Sequence, residues 1–225
     1  MVVIGVLSIE KESMVIRILR KIISSQKIKA SIIETYDDCI SAPNKFNLKS
    51  YIHEIKNSGI DIAIIKIISD YIATGIYNDI SFDLLIQETF STEENETLFQ
   101  TLLKVKETFL KSLNDKCITI INGDDETVLK IFKNIKMCVI TYGFGTKATI
   151  TASSIAEESD FIVFIYCIQR MVRTVKNNYI EPQEFPVKIL TTQRNDIYNA
   201  LAAVTAAIVC GIDTEKNITS KFEIS

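Results

Sequence analysis

Few side chains in this chain suit metal or nucleophilic chemistry, and those few are poorly spaced for it. His53 is the sole histidine, so any Ser-His-Asp arrangement or histidine-based metal centre would have to use it. It lies in LKSYIHEIKNSG (48–59), a stretch of helical character, and is read as solvent-facing. The five cysteines, Cys39, Cys117, Cys138, Cys167 and Cys210, are far apart, and no pair has the C-x-x-C spacing of a zinc knuckle or dithiol redox site. Three of them, Cys117, Cys138 and Cys167, fall in apolar runs, and the set is read as small core residues in a reducing cytoplasm. The stretch IQETFSTEENET (86–97) gathers Glu88, Glu93, Glu94 and Glu96. A divalent-cation site is one reading of it, and a solvated acidic loop is the reading adopted.

The elements that must position any site are easier to read. With 225 residues, 47% hydrophobic and 24% charged, the chain has the composition of a globular protein. At this length roughly 70–75% of the unfolded surface can be buried. Lysine and arginine number 25 against 28 aspartates and glutamates, a net charge of −3, which gives no footprint for nucleic acid or an anionic membrane. No apolar run is long enough to span a bilayer. The start, MVVIGVLSIEKES, lacks a basic n-region and a small-residue cleavage site, so it is read as a strand and the protein as cytoplasmic.

VVIGVL (2–7) is a continuous, β-branched-rich run of the kind covered on both faces of a parallel sheet. KESMVIRILRKIISS (11–25) repeats apolar residues at helical spacing, with Ser8 or Ser13 available as cap. Strands are expected at KASIIETY, IDIAIIKIIS (60–69), SFDLLIQE (81–88), CITIING (117–123) and MCVITYG (137–143). Helices are expected at LKSYIHEIKN, ENETLFQTLLKVKETFLKSL and ETVLKIFKNI. This alternation predicts an α/β fold with a doubly wound, mostly parallel sheet. KATITASSIAE, FIVFIYCIQ and FPVKILTTQ lack long intervening helices and predict a small antiparallel sheet near the C-terminal part. An alanine-rich helix, NDIYNALAAVTAAIVCGID, then ends at Gly211.

IINGDDETV (120–128), TYGFGTKATITASSI (141–155) and FPVKILTTQRNDIYNALAAVTAAIVCGID (185–213), in that order, resemble the central ATP-binding domain of the Mur ligases. The closest flavour is that of the UDP-N-acetylmuramoyl-tripeptide synthetases. The resemblance implies one central domain over 1–225, with a parallel core over 1–143 and 195–213 and an antiparallel subregion over 144–194. It also implies that the N-terminal UDP-sugar domain and the C-terminal ligase domain of the family are absent.

Compared with that family, several positions are exchanged. The family's first strand leads into GTxGKT, in which glycines admit phosphate, lysine meets the β/γ-phosphates and a hydroxyl holds Mg²⁺. Here the segment is Ser8-Ile9-Glu10-Lys11-Glu12-Ser13: Glu12 takes the lysine position, and Ser13 keeps the hydroxyl. Lys66 stands at the family's metal-binding glutamate and Asp70 at its histidine. Lys106 falls in register with the carbamylated catalytic lysine. Asn122 and Asn199 match adenine contacts, while Asp196 replaces an asparagine.

The resemblance with its exchanges implies a degenerate Mur-ligase-like domain without ATP-dependent ligation, acting as a binding or regulatory protein near peptidoglycan precursor synthesis. No cofactor or metal is expected, and ATP with Mg²⁺ enters only under the alternative of an active carboxylate–amine ligase. The expected partner is a protein of unknown identity, or a subunit supplying the missing domains. Glu12 and Lys66 are expected to form an ion pair across the vacated site, within about 4 Å.

Overall fold

The computed structural model describes residues 1–8, 12–34, 47–72, 74–88, 109, 113–133, 136–212 and 223–224. Along the chain lie β1 (Val2–Leu7), α1 (Met14–Ser24), β2 (Ala30–Ile33), α2 (Leu48–Asn57), β3 (Ile62–Ile67), α3 (Ser69–Ile72), β4 (Leu84–Gln87), β5 (Ile118–Asn122) and α4 (Glu126–Phe132). They are followed by β6 (Cys138–Tyr142), β7 (Ile150–Glu157), β8 (Ile162–Ile168), β9 (Val172–Arg173), β10 (Tyr179–Ile180), β11 (Gln183–Ile189), α5 (Asp196–Val209) and β12 (Glu223–Ile224). The predicted helix over 94–113 lies outside the described residues except for Phe109 and Leu113, both buried.

The strands form one ten-stranded sheet in the order β12-β11-β8-β7-β6-β5-β4-β1-β3-β2. From β2 to β7 every pairing is parallel, as the alternation of strands and helices predicts. β7, β8 and β11 then pair antiparallel and extend that sheet. The separate small antiparallel sheet is the β9–β10 pair.

Strand alternation divides the core in two. Ile4, Val6, Ile64, Ile86 and Ile120 face α1 and α5. Val3, Leu7, Ile65, Ile67, Leu85 and Ile121 face the other way, onto Leu48 of α2, Phe109, and Val128 and Phe132 of α4. Gly5 in β1 makes that second face possible, because a Cβ there would sit 2.7 Å from Ile67 Cδ1.

α5 is buried along nearly its whole length, with Ala200, Ala202, Ala203, Ala206 and Ala207 fully enclosed. A helix apolar on every side belongs inside a domain, and its small residues let α1 and the sheet approach closely. It ends as its sequence predicts: Gly211 has φ +75, and the Ile212 N–H donates to the Ala207 carbonyl. Among the described residues no helix is long and apolar enough to cross a membrane.

Candidate functional site

The carboxyl ends of the parallel strands form a rim of the kind where open α/β sheets hold ligands. The rim has two parts. The first is built by the end of β1, the start of α1 and the ends of β3 and β4. Ser13 is the N-cap of α1, and its Oγ accepts from the Ile16 N–H at 3.1 Å. The β4 ladder runs one residue past Gln87, with the Glu88 N–H donating to the Leu7 carbonyl at 3.1 Å. Continuing the alternation of Leu84 and Ile86, this turns Glu88 toward α1. Glu88 is only 3% exposed, and its Oε1 accepts from Ser13 Oγ–H and from the Val15 N–H, each at 3.0 Å.

Ser8 continues the alternation of Ile4 and Val6 onto the same face. It is 2% exposed, and its Oγ is buried with no hydrogen-bond partner among the described residues. Lys66, at 3% exposure, lies on that face too, in register with Val6.

Two sequence expectations change here. Glu88 is not part of a solvated acidic loop, because pairing with β1 carries it under the first turn of α1. The contact spans 75 residues, too far for local pattern reading. A capping serine on an apolar helix with no acidic residue in its first turn was the available signal that an anion would come from elsewhere. The Glu12–Lys66 ion pair is not among the ion pairs of the described residues. Lys66 is fixed inside the sheet, whereas Glu12 is exposed and lines an open depression of about 440 Å³ with Arg17, Arg20 and Glu34.

The second part of the rim joins the ends of β5 and β6 to the start of α5. Asn122 Oδ1 accepts from the Asp124 N–H at 2.9 Å, closing the turn after β5. Asp124 then accepts from the Phe144 N–H at 2.6 Å, the Gly145 N–H at 2.9 Å and the Tyr198 phenol at 3.0 Å. Gly143 has φ +150, and a Cβ on it would lie 2.6 Å from Asp124 Oδ2, so glycine is required where the loop wraps the carboxylate. Burial, the bond to Asp124 and that carboxylate's charge push the Tyr198 phenol up to about 12, against a smaller opposing effect of Arg194.

Asp196 opens α5, and its Oδ2 accepts from Thr191 Oγ1–H at 2.5 Å. Its Oδ1 accepts from Asn199 Nδ2 at 3.4 Å. Asn199 Oδ1 is buried with no hydrogen-bond partner among the described residues. The Tyr142 phenol links the two parts by donating to the Gln87 carbonyl at 2.8 Å, while its ring meets Tyr198 edge-on at 6.4 Å.

The structure thus brings the Asn122 turn and the Asp196–Asn199 helix start together through Tyr198 and Asp124, and it sets Ser13 and Lys66 on the neighbouring part of the rim. Asp70 falls in α3, and its side chain lies outside the described residues, as does the whole of Lys106. His53 is exposed on α2. Among the described residues no cluster of histidine, cysteine and carboxylate side chains could hold a metal. Cys117, Cys138, Cys167 and Cys210 are free thiols, the first and last of them buried.

Sheet order, helices on both faces and a polar rim at the strand ends define a doubly wound α/β domain. The comparison with known families narrows this: the Mur ligase middle domain matches residues 12–207, and the chain belongs to that family. It is 28% identical to the UDP-N-acetylmuramoyl-L-alanyl-D-glutamate–2,6-diaminopimelate ligase of Clostridioides difficile (strain 630), over 93% of this chain and 43% of that protein. A solved structure of a ligase of the same description superposes with a TM-score of 0.69 at 15% identity, covering 97% of this chain and 45% of the other. The MurF ligase of Thermotoga maritima, solved in complex with ADP, superposes with a TM-score of 0.59 at 12% identity, over 97% and 48% of the two chains. The chain therefore spans less than half the length of these relatives.

Proposed function

We propose that this chain is a Mur-ligase-like domain that no longer carries out ATP-dependent ligation and acts as a binding or regulatory protein linked to peptidoglycan precursor synthesis, in the cytoplasm, with a protein partner. The observation that carries this reading is Lys66. It is a lysine buried at 3% exposure, at the place where the resemblance puts a metal-binding glutamate. A fixed cation at that place removes a ligand and repels a divalent ion.

ATP with Mg²⁺ is the group the family implies, and the residues at the β1–α1 end do not fit it. Ser8 stands where the family's loop has its first glycine, and Glu12 stands where the lysine would meet phosphate. One N–H donor of the first turn of α1, that of Val15, is already bonded to Glu88. Charge repulsion and absent backbone room therefore act together against a triphosphate.

A second reading, a ligase subunit completed by other chains, is favoured by the other end of the rim. There Asn122, Asp196 and Asn199 stand together, with the Asn199 amide oxygen buried and without a hydrogen-bond partner among the described residues. Isothermal titration with a non-hydrolysable ATP analogue, with and without Mg²⁺, separates the two. The proposed reading expects no detectable heat at millimolar ligand, and Mg²⁺-dependent binding overturns it in favour of the second. Metal-independent binding would leave ligation lost while making the domain a nucleotide sensor.

A further inference from the structure

An anion is already bound at the start of α1, and the chain supplies it. The N-terminus of an 11-residue helix presents unpaired N–H groups and the positive end of its dipole. In a phosphate-binding domain that is where oxyanion oxygens sit. Here the N3 donor, Ile16, goes to the cap Ser13, and the N2 donor, Val15, goes to Glu88 Oε1. The Ser13 hydroxyl proton goes to the same oxygen. One buried carboxylate oxygen thus takes both a backbone donor and a side-chain donor at the helix N-terminus.

A second feature points to a polar group at this place. Ser8 Oγ, at the end of β1 on the same face, is buried and has no hydrogen-bond partner among the described residues. Burying a hydroxyl without a bond is unfavourable. Ser8 follows Leu7 as Glu88 follows Gln87 in the paired β1 and β4 strands, so the spare hydroxyl stands beside Glu88 and an oxyanion replacing that carboxylate could use it. The open depression that Ser13 also lines carries both signs of charge, with Arg17 and Arg20 beside Glu12 and Glu34 and Arg20 paired to Glu34.

We propose that Glu88 is an intramolecular ligand of the first turn of α1, holding the Val15 and Ser13 donors that an outside oxyanion, phosphate or pyrophosphate, would otherwise have to use. This deepens the reading of lost ligation and rests on it: the site is closed by the protein's own charge as well as emptied of glycine and lysine. Removing that carboxylate frees the Val15 and Ser13 donors and one unit of negative charge at once.

The test is titration of wild type, Glu88→Ala and Glu88→Gln with inorganic pyrophosphate in chloride buffer, with Glu158→Ala, an exposed carboxylate, as control. Wild type and the control should show no saturable binding. Glu88→Ala should bind saturably, at concentrations about tenfold or more below the highest at which wild type shows nothing. Glu88→Gln should fall between, because its amide oxygen still occupies the donors without the charge. Thermal unfolding is the parallel readout: pyrophosphate should raise the midpoint of Glu88→Ala and leave wild type unmoved. If Glu88→Ala is unfolded in chloride, pyrophosphate should restore its fold.

A folded Glu88→Ala that binds no better than wild type overturns the inference and leaves the proposed loss of ligation standing. So does an unfolded Glu88→Ala that pyrophosphate cannot rescue, together with a folded, non-binding Glu88→Gln. Mg²⁺-dependent binding of the ATP analogue by wild type instead overturns both.

Discussion

The two parts of the rim each hold a carboxylate that accepts from backbone N–H and hydroxyl groups, but in opposite surroundings. Glu88 is buried between β4 and the first turn of α1, whereas Asp124 is exposed and gathers a glycine-flanked loop and a phenol around itself. A buried charge has no water to replace lost partners, so its bonds are costly to break. An exposed one exchanges protein donors for water at little net cost. The same chemical group therefore acts as a structural anchor at one end of the rim and as a loop organiser at the other.

The largest effect expected from this contrast is on stability. Glu88→Ala in anion-free buffer should lose about 3 kcal/mol, from two charge-assisted bonds and the helix-terminal charge. Urea unfolding measures this, and a loss near zero would place the two carboxylates in the same class. Ser13→Ala should cost less, about 1–2 kcal/mol, because it removes the cap and one of the two donors to Glu88. Asp124→Asn should cost under about 1 kcal/mol. Its signature should be spectroscopic: with the carboxylate gone, Tyr198 should ionise below about 12 but still above its ordinary 10.0, since burial, the largest cause of its shift, remains.

The smallest effect lies away from the rim and serves as its background. Burial pushes the Cys117 and Cys210 thiols from 9.0 up to about 12, and drives the Tyr166 phenol upward as well. Groups raised on folding contribute stability that is complete below their unfolded pKa and is lost as pH rises toward the folded value. The contribution of these groups to the unfolding midpoint should therefore be constant up to about pH 9 and be lost between about pH 9 and 12. A Cys117→Ala/Cys210→Ala double variant should have a shallower fall.

The fold was legible where the chain repeats a physical signal often enough. β1 is a six-residue apolar run, α1 shows six buried residues at helical spacing, and Gly59 and Gly211 mark helix ends by positive φ. β9, β10 and β12 were not legible, because two residues carry no period. At the rim, Ser13 could be read as a cap and the Asn122 turn as a turn, since both are local bonds. Glu88, Asp124 and Tyr198 act across 73, 20 and 74 residues of sequence and depend on which strands lie side by side. The expected Glu12–Lys66 pair failed for the same reason: sharing a rim is weaker than sharing a depth, and one residue is exposed while the other is inside the sheet.

The central claim is that the α1 N-terminus is satisfied from within. The most direct measurement follows the Val15 backbone amide of the wild-type protein by ¹H–¹⁵N NMR while Mg²⁺ and ATP analogue, and separately pyrophosphate, are added. The account predicts a slowly exchanging Val15 proton whose shift stays fixed throughout in wild type and moves with pyrophosphate only in Glu88→Ala. A Val15 resonance that moves saturably in wild type would show that the donor is available to ligand and would contradict the account.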